Sequence, residues 1–176
     1  ALENLRAEIP HMDFDSIRAD ARRLWDQELS KITIEGDRDR KVNFYTAMYH
    51  ACLGPGVYSD VDGCYRGLDQ EIHQAEGFTN YTIFSLWDTY RALHPLLTVT
   101  QPARTGDMIE SMLAHYRESV HHILPVWSHH ANENWCMIGY HAVPVIADAY
   151  LKGLGGFDAD QALDAMVASA TYARYD

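Results

Sequence analysis

The chain has 176 residues, 47% hydrophobic and 22% charged, which suits one globular domain with a sizeable core and argues against disorder. Its 25 acidic residues against 14 basic ones give a net charge of -11. That argues against a nucleic-acid or anionic-membrane surface, since either needs clustered Lys and Arg.

The elements read as helical in chain order. Asp13 opens a helix over 13–30 that places Phe14, Ile17, Ala21, Leu24 and Trp25 on one face. "ITIEG", 32–36, reads as a short strand or an extended link. A second helix over 38–53, with Phe44, Ala47, Met48 and Ala51 on one stripe, stops at "GPG". Residues 57–78 carry glycines at 63, 67 and 77 and read as a long loop with room for a short hairpin. A helix is predicted over 80–94 (Ile83, Leu86, Trp87, Tyr90), ended by Pro95, then a turn in "TVTQPARTGD" and a helix over 105–120 (Ile109, Met112, Leu113, Tyr116). Residues 121–133 are non-helical, 134–152 form an apolar helix kinked by Pro144, and "GLGGFD" precedes a last helix to about 172 capped by Asp158 or Asp160. The expected class is all-α, a helical array or part of an α/α toroid, in a single partial domain over 1–176. The ends, "ALENLRAEIP" and "TYARYD", read as cut from a longer protein. No apolar run approaches the roughly 18–20 residues of a membrane helix.

Three segments carry chemistry. In "ANENWCMIGYH", Glu133 stands before an aromatic, apolar run. A carboxyl partly buried against Trp135 loses hydration and keeps its proton, as a glycosidase acid must. The plainer alternative places Glu133 in the first turn of a helix, favouring its dipole. In "SDVDGCYRG", Asp60, Asp62 and Arg66 surround two glycines. The alternation of an EF-hand calcium loop is incomplete there, so a ligand-binding loop or a tight turn remains. "FSLWDTYRALHPL" places Trp87 and Arg91 four apart and Asp88 and Arg91 three apart, either an aromatic platform with polar groups for a sugar or a core Trp beside a local ion pair. The adjacent histidines 121/122 and 129/130 lack zinc spacing, and Cys52, Cys64 and Cys136 lack CxxC spacing.

Taken together, "NFYTAMYHACLGP", "SDVDGCYRG", "YTIFSLWDTYRALHPLLT", "LPVW", "NENWCMIGYHAVPVIADAYLKG" and "GFDADQALDAM" resemble, in order and spacing, glycoside hydrolase family 92 from about residue 20 onward. These are exo-acting, calcium-dependent α-mannosidases. The resemblance implies a stretch of an (α/α)6 toroid, with a β-sandwich domain and the rest of the toroid supplied by the remainder of the full-length chain. It implies inverting hydrolysis of α-mannosides, such as the α-1,2 linkages of N-glycans, with Glu133 as general acid. Asp60, Asp62, Arg66, Trp87, Asp88, Arg91, Asn132 and His141 would line the sugar site. The general base and most calcium ligands are expected beyond Asp176, so the isolated chain is expected to show little turnover and to aggregate or dimerise. Secretion, or export to a periplasm, is also implied. Ala131 stands where a glycine is expected, so a left-handed backbone there would strain the turn. The competing readings are a non-catalytic carbohydrate-binding module and a purely structural helical domain.

Overall fold

The computed structural model describes residues 1–173, of which about half are helical. The chain divides into two compact units, Ala1–Gly54 and Pro55–Asp176.

The first unit holds α1 (Leu2–Glu8), α2 (Phe14–Leu29) and α3 (Arg38–Ala51). Asp13 caps α2, its carboxylate accepting the Asp15 N–H, and Asp37 caps α3 by accepting from Arg40 at 2.9 Å. The rings of Trp25 and Tyr49 lie 4.6 Å apart between α2 and α3. Residues 32–36 are the extended link, without a strand, and Tyr45 donates its hydroxyl to the Ile32 carbonyl across it. The stripe predicted for α2 is largely uncovered, with Phe14 73% exposed.

The second unit is built on α6 (Pro102–Glu118), which packs against α5 (Leu93–Thr100), α7 (Ala142–Leu151) and α8 (Ala159–Thr171). Ile109, Met112 and Leu113 of α6 meet Leu97, Val145, Ile146, Ala149, Ala162 and Ala165 in one buried cluster. The predicted stripe Ile109–Met112–Leu113 is therefore the centre of the core. Asp158 caps α8, accepting the N–H groups of Asp160 and Gln161 at 3.0 Å each.

The helical class holds, and among the described residues short strands are added to it. Six strands of two or three residues form three antiparallel pairs: β1 (Gly56–Val57) with β4 (Tyr81–Thr82), β2 (Cys64–Arg66) with β3 (Ile72–Gln74), and β5 (Phe84–Ser85) with β6 (Trp127–Ser128). The β2–β3 hairpin falls inside the long loop predicted over 57–78. The helix predicted over 80–94 is β4, β5 and a single turn, α4 (Leu86–Thr89), in its place. The Tyr81 N–H donates to Ser111 Oγ at 2.9 Å, tying this extended backbone to α6.

Prolines account for two further differences. Pro95 and Pro144 are each the third residue of a helix, α5 and α7, where an intrahelical N–H partner is lacking anyway. Neither stops nor kinks the helix it was expected to break. Pro102 begins α6 outright, three residues before the predicted start.

Gly106 marks the closest approach of a backbone atom to a glycine in this unit. A Cβ there would stand 2.7 Å from the Gly155 carbonyl oxygen, in the link between α7 and α8. Alanine gains about 1 kcal/mol of helix propensity over glycine, but overpacking against backbone costs about 1–3 kcal/mol. Gly106→Ala is expected to lower the melting temperature by several degrees; an unchanged or raised value would show that the link yields freely.

Candidate active site

The segment expected to be a helix behind Glu133 is a loop. Residues 134–141 precede α7, with left-handed φ at Trp135 (52°), Met137 (72°) and Gly139 (93°). Three such residues within five prevent helical hydrogen bonding, so Glu133 neither opens a helix nor rests on one. It is held by its own loop. Glu133 Oε1 accepts the N–H groups of Trp127 at 2.8 Å and Trp135 at 3.0 Å, and Oε2 accepts that of Val126 at 2.9 Å. The side chain is 6% exposed. A bridge between Ser128 and Glu133 closes the turn, and the His129 N–H reaches the Asn132 carbonyl at 2.8 Å. Asn132 itself is exposed.

Ala131 lies at φ 58°, after His130 at 46°, so the residue expected to strain the turn does adopt the left-handed form. That costs about 1 kcal/mol relative to glycine.

Other segments converge on this loop. Gln70 Nε2 donates to the Ala131 carbonyl at 2.9 Å, the His130 N–H donates to Thr82 Oγ1 at 2.8 Å, and the Tyr58 and His130 rings lie 5.3 Å apart. Asp60 and Arg66 line a shallow cleft with Tyr58 and Tyr65. Asp62 is committed to the hairpin turn, where Oδ1 accepts the Cys64 N–H at 2.9 Å, and Arg66 donates to the Gln70 carbonyl at 2.6 Å.

A second group brings Trp87, Arg91 and His141 together, with Tyr90 added by the structure. The His141 ring lies 5.3 Å from Trp87 and 4.5 Å from Tyr90. The Arg91 guanidinium sits 5.2 Å from the Trp87 ring centre and 4.8 Å from that of Tyr90. Burial, and then the Arg91 charge, hold the His141 imidazole below its ordinary pKa. Asp88 takes the Ser85 hydroxyl at 2.7 Å, while Arg91 turns to the rings.

Sequence reasoning missed the pieces behind the loop. His115, on the buried face of α6, has Nε2 3.7 Å from Glu133 Oε2. Burial pushes its imidazole down to about 3, so at neutral pH the ring is uncharged and the approach is not an ion pair. Tyr65 donates its hydroxyl to Glu118 at 2.5 Å, and burial raises both groups above their ordinary values. The signal for His115 was its place three residues after Met112, in register with the α6 core stripe.

Among the described residues no three His, Cys, Asp or Glu side chains come together as a metal ion would need. The described side chains therefore do not by themselves supply the clustered carboxylates a calcium ion takes. No helix among them is long and apolar enough to cross a membrane.

The arrangement is a helical scaffold that carries polar and aromatic groups on loops and short hairpins, with the Glu133 carboxyl buried in a loop of its own. The chain belongs to glycosyl hydrolase family 92: the model of that family's catalytic domain matches residues 1–176. Among solved structures, the chain is similar to the family GH92 alpha-mannosidase BT3965 from Bacteroides thetaiotaomicron, with 50% identity over 100% of this chain and 24% of that one, and a TM-score of 0.97. The same enzyme in complex with mannoimidazole matches equally well, at 50% identity and a TM-score of 0.97, over 100% of this chain and 23% of that one. The family GH92 inverting mannosidase BT2199 from Bacteroides thetaiotaomicron VPI-5482 is 31% identical over 95% of this chain and 23% of that one, with a TM-score of 0.86. The chain thus spans about a quarter of the length of these structures. Among curated proteins no sequence matches it.

Proposed function

We propose that this chain forms part of the catalytic domain of an exo-acting, inverting α-mannosidase, with Glu133 as the general acid. The observation that carries the reading is the set of contacts at Glu133, inside a family whose similar structures include two α-mannosidases from Bacteroides thetaiotaomicron. A protonated carboxyl has a carbonyl oxygen with two acceptor positions, and a hydroxyl that accepts once and donates once. Oε1 already accepts twice and Oε2 once. Oε2 can therefore carry a proton without leaving any of the three backbone donors unmet, which gives the carboxyl a single donor position to give away.

In this reading Oε2–H passes its proton to the leaving oxygen as the C1–O bond breaks, while water attacks the opposite face of the sugar. The base that activates that water stands roughly 6.5–9.5 Å from the acid in inverting enzymes. That base, the calcium ligands and the remaining helices of the (α/α)6 toroid belong, on this proposal, to parts of the fold outside this chain. Trp87, Tyr90, Arg91 and His141 offer ring faces and donors for a sugar, as do Asp60 and Arg66 in their cleft. Asn132 and Asp88 join the sugar site on the family resemblance; Asp62 acts by holding the hairpin. Export from the cytoplasm is part of the same proposal and rests on the family resemblance.

The test uses the product of the complete gene, with a nitrophenyl α-mannoside and an α-mannobiose as substrates. The wild type should release mannose from both, the first-formed sugar should be the β-anomer by NMR, and a chelator should abolish turnover. Glu133→Gln should cut the disaccharide rate by a factor of about 10² or more and the aryl rate far less, because a nitrophenolate leaves without a proton. No mannose release from the wild type on any α-mannoside would leave a sugar-binding or structural module.

A further inference from the structure

His115 has two faces. Its Nε2 looks toward Glu133 Oε2 at 3.7 Å, and both side chains are 6% exposed. Its Nδ1 is buried with no partner in the protein. The ring also lines a small cavity of about 30 Å³ with Tyr65, Ser111, Glu118 and Ser128 among its walls. That volume suits one water molecule, and the polar walls supply its partners. A buried imidazole nitrogen left unpaired is destabilising, and a water here offsets that cost.

We infer that His115 is a positioning residue for the proton on Glu133, a proposal that rests on the acid reading above. The imidazole is neutral, carries its hydrogen on Nδ1 toward the cavity water, and offers the Nε2 lone pair to Oε2–H. At 3.7 Å the pair stands beyond hydrogen-bond length, as catalytic contacts often do before substrate binds. A small closure completes it. His115 exchanges no proton: the Oε2–H bond breaks only when the leaving oxygen takes the hydrogen, and solvent restores it afterwards. The imidazole keeps that hydrogen on the one oxygen with a free donor position until the substrate arrives.

The decisive comparison is His115→Leu and His115→Gln beside Glu133→Gln, in the product of the complete gene on the two substrates above. His115→Leu is expected to lower kcat on the disaccharide by about tenfold, with kcat on the aryl mannoside and both KM values changing by less than about twofold. Glutamine, which can again present an acceptor, should restore most of the lost rate. His115→Phe replaces the leucine variant if that one does not fold. Equal losses on both substrates, or no loss on either, would make His115 a packing residue. If Glu133→Gln itself shows no difference between the substrates, the acid assignment fails and this proposal falls with it. A difference in Glu133→Gln without one in His115→Leu overturns the role of His115 alone.

Discussion

Glu133→Ala is expected to destabilise the unit over residues 55–176 by about 4 kcal/mol, a loss set by three backbone donors. Val126, Trp127 and Trp135 aim their N–H groups at this carboxyl, and Val126 is only 7% exposed. Each of these hydrogen bonds contributes about 0.5–1.5 kcal/mol net, and a buried donor left unmade costs about 1–3 kcal/mol. Full additivity overshoots, because Trp135 is 39% exposed and its N–H can turn to water. Glu133→Gln should cost about half as much: its carbonyl can still accept from Trp127 and Trp135, but its NH2 group meets the Val126 N–H donor to donor. Urea denaturation of wild type, Glu133→Gln and Glu133→Ala in parallel measures the series. An alanine variant within about 1 kcal/mol of wild type would mean that the 126–135 loop finds other acceptors. The same contacts govern how activity is read. A loss of stability lowers both substrate rates together, whereas a lost acid lowers only the rate that needs a proton.

Periodic residues were legible in the sequence and left-handed ones were not. The stripes of α3 and α6 and the Asp13 and Asp158 caps follow from side-chain type and spacing. The 134–141 loop does not, because Trp, Met and Ile in a row have the composition of a core helix. Their departure from it is fixed by backbone angles at Trp135, Met137 and Gly139, which their side chains do not announce. Pro95 and Pro144 misled for a related reason: proline breaks a helix interior but is welcome in its first turn, and only the true start of the helix decides between the two. The strands at 81–85 are too short to show a period and are held by Ser111 and by pairing with residues 127–128, partners distant in sequence. At the candidate site, Glu133, Trp87, Arg91 and His141 were singled out by their motifs and the family resemblance. His115 and Tyr90 were not, because each looks like an ordinary residue of an apolar helix until the loop from another part of the chain packs on it.

Buried histidines make a second strong prediction, on acid stability. His94 is 2% exposed and neither ring nitrogen has a partner, and burial pushes its imidazole down to about 4. His115 is pushed down to about 3 by the same cause. In the unfolded chain both titrate near 6.5. Between these values the unfolded state binds protons that the folded state refuses. Stability is therefore fully present above about 6.5 and falls as the pH drops toward 4 and below. Each group costs about 1.4 kcal/mol per pH unit inside that window. From pH 7 to pH 5 the pair should cost about 4 kcal/mol, against a total of about 5–15 kcal/mol for a typical domain. His94→Leu separates this from the general titration of carboxylates. It removes one of the two groups and leaves no acceptor or donor behind, so it should match or exceed the wild type at pH 7 and lose about half as much on acidification. Urea midpoints at pH 7 and pH 5 for both proteins read the difference directly. An acid loss unchanged by His94→Leu would show that the imidazole takes up its proton inside the fold, which requires water to reach a ring that is now 2% exposed.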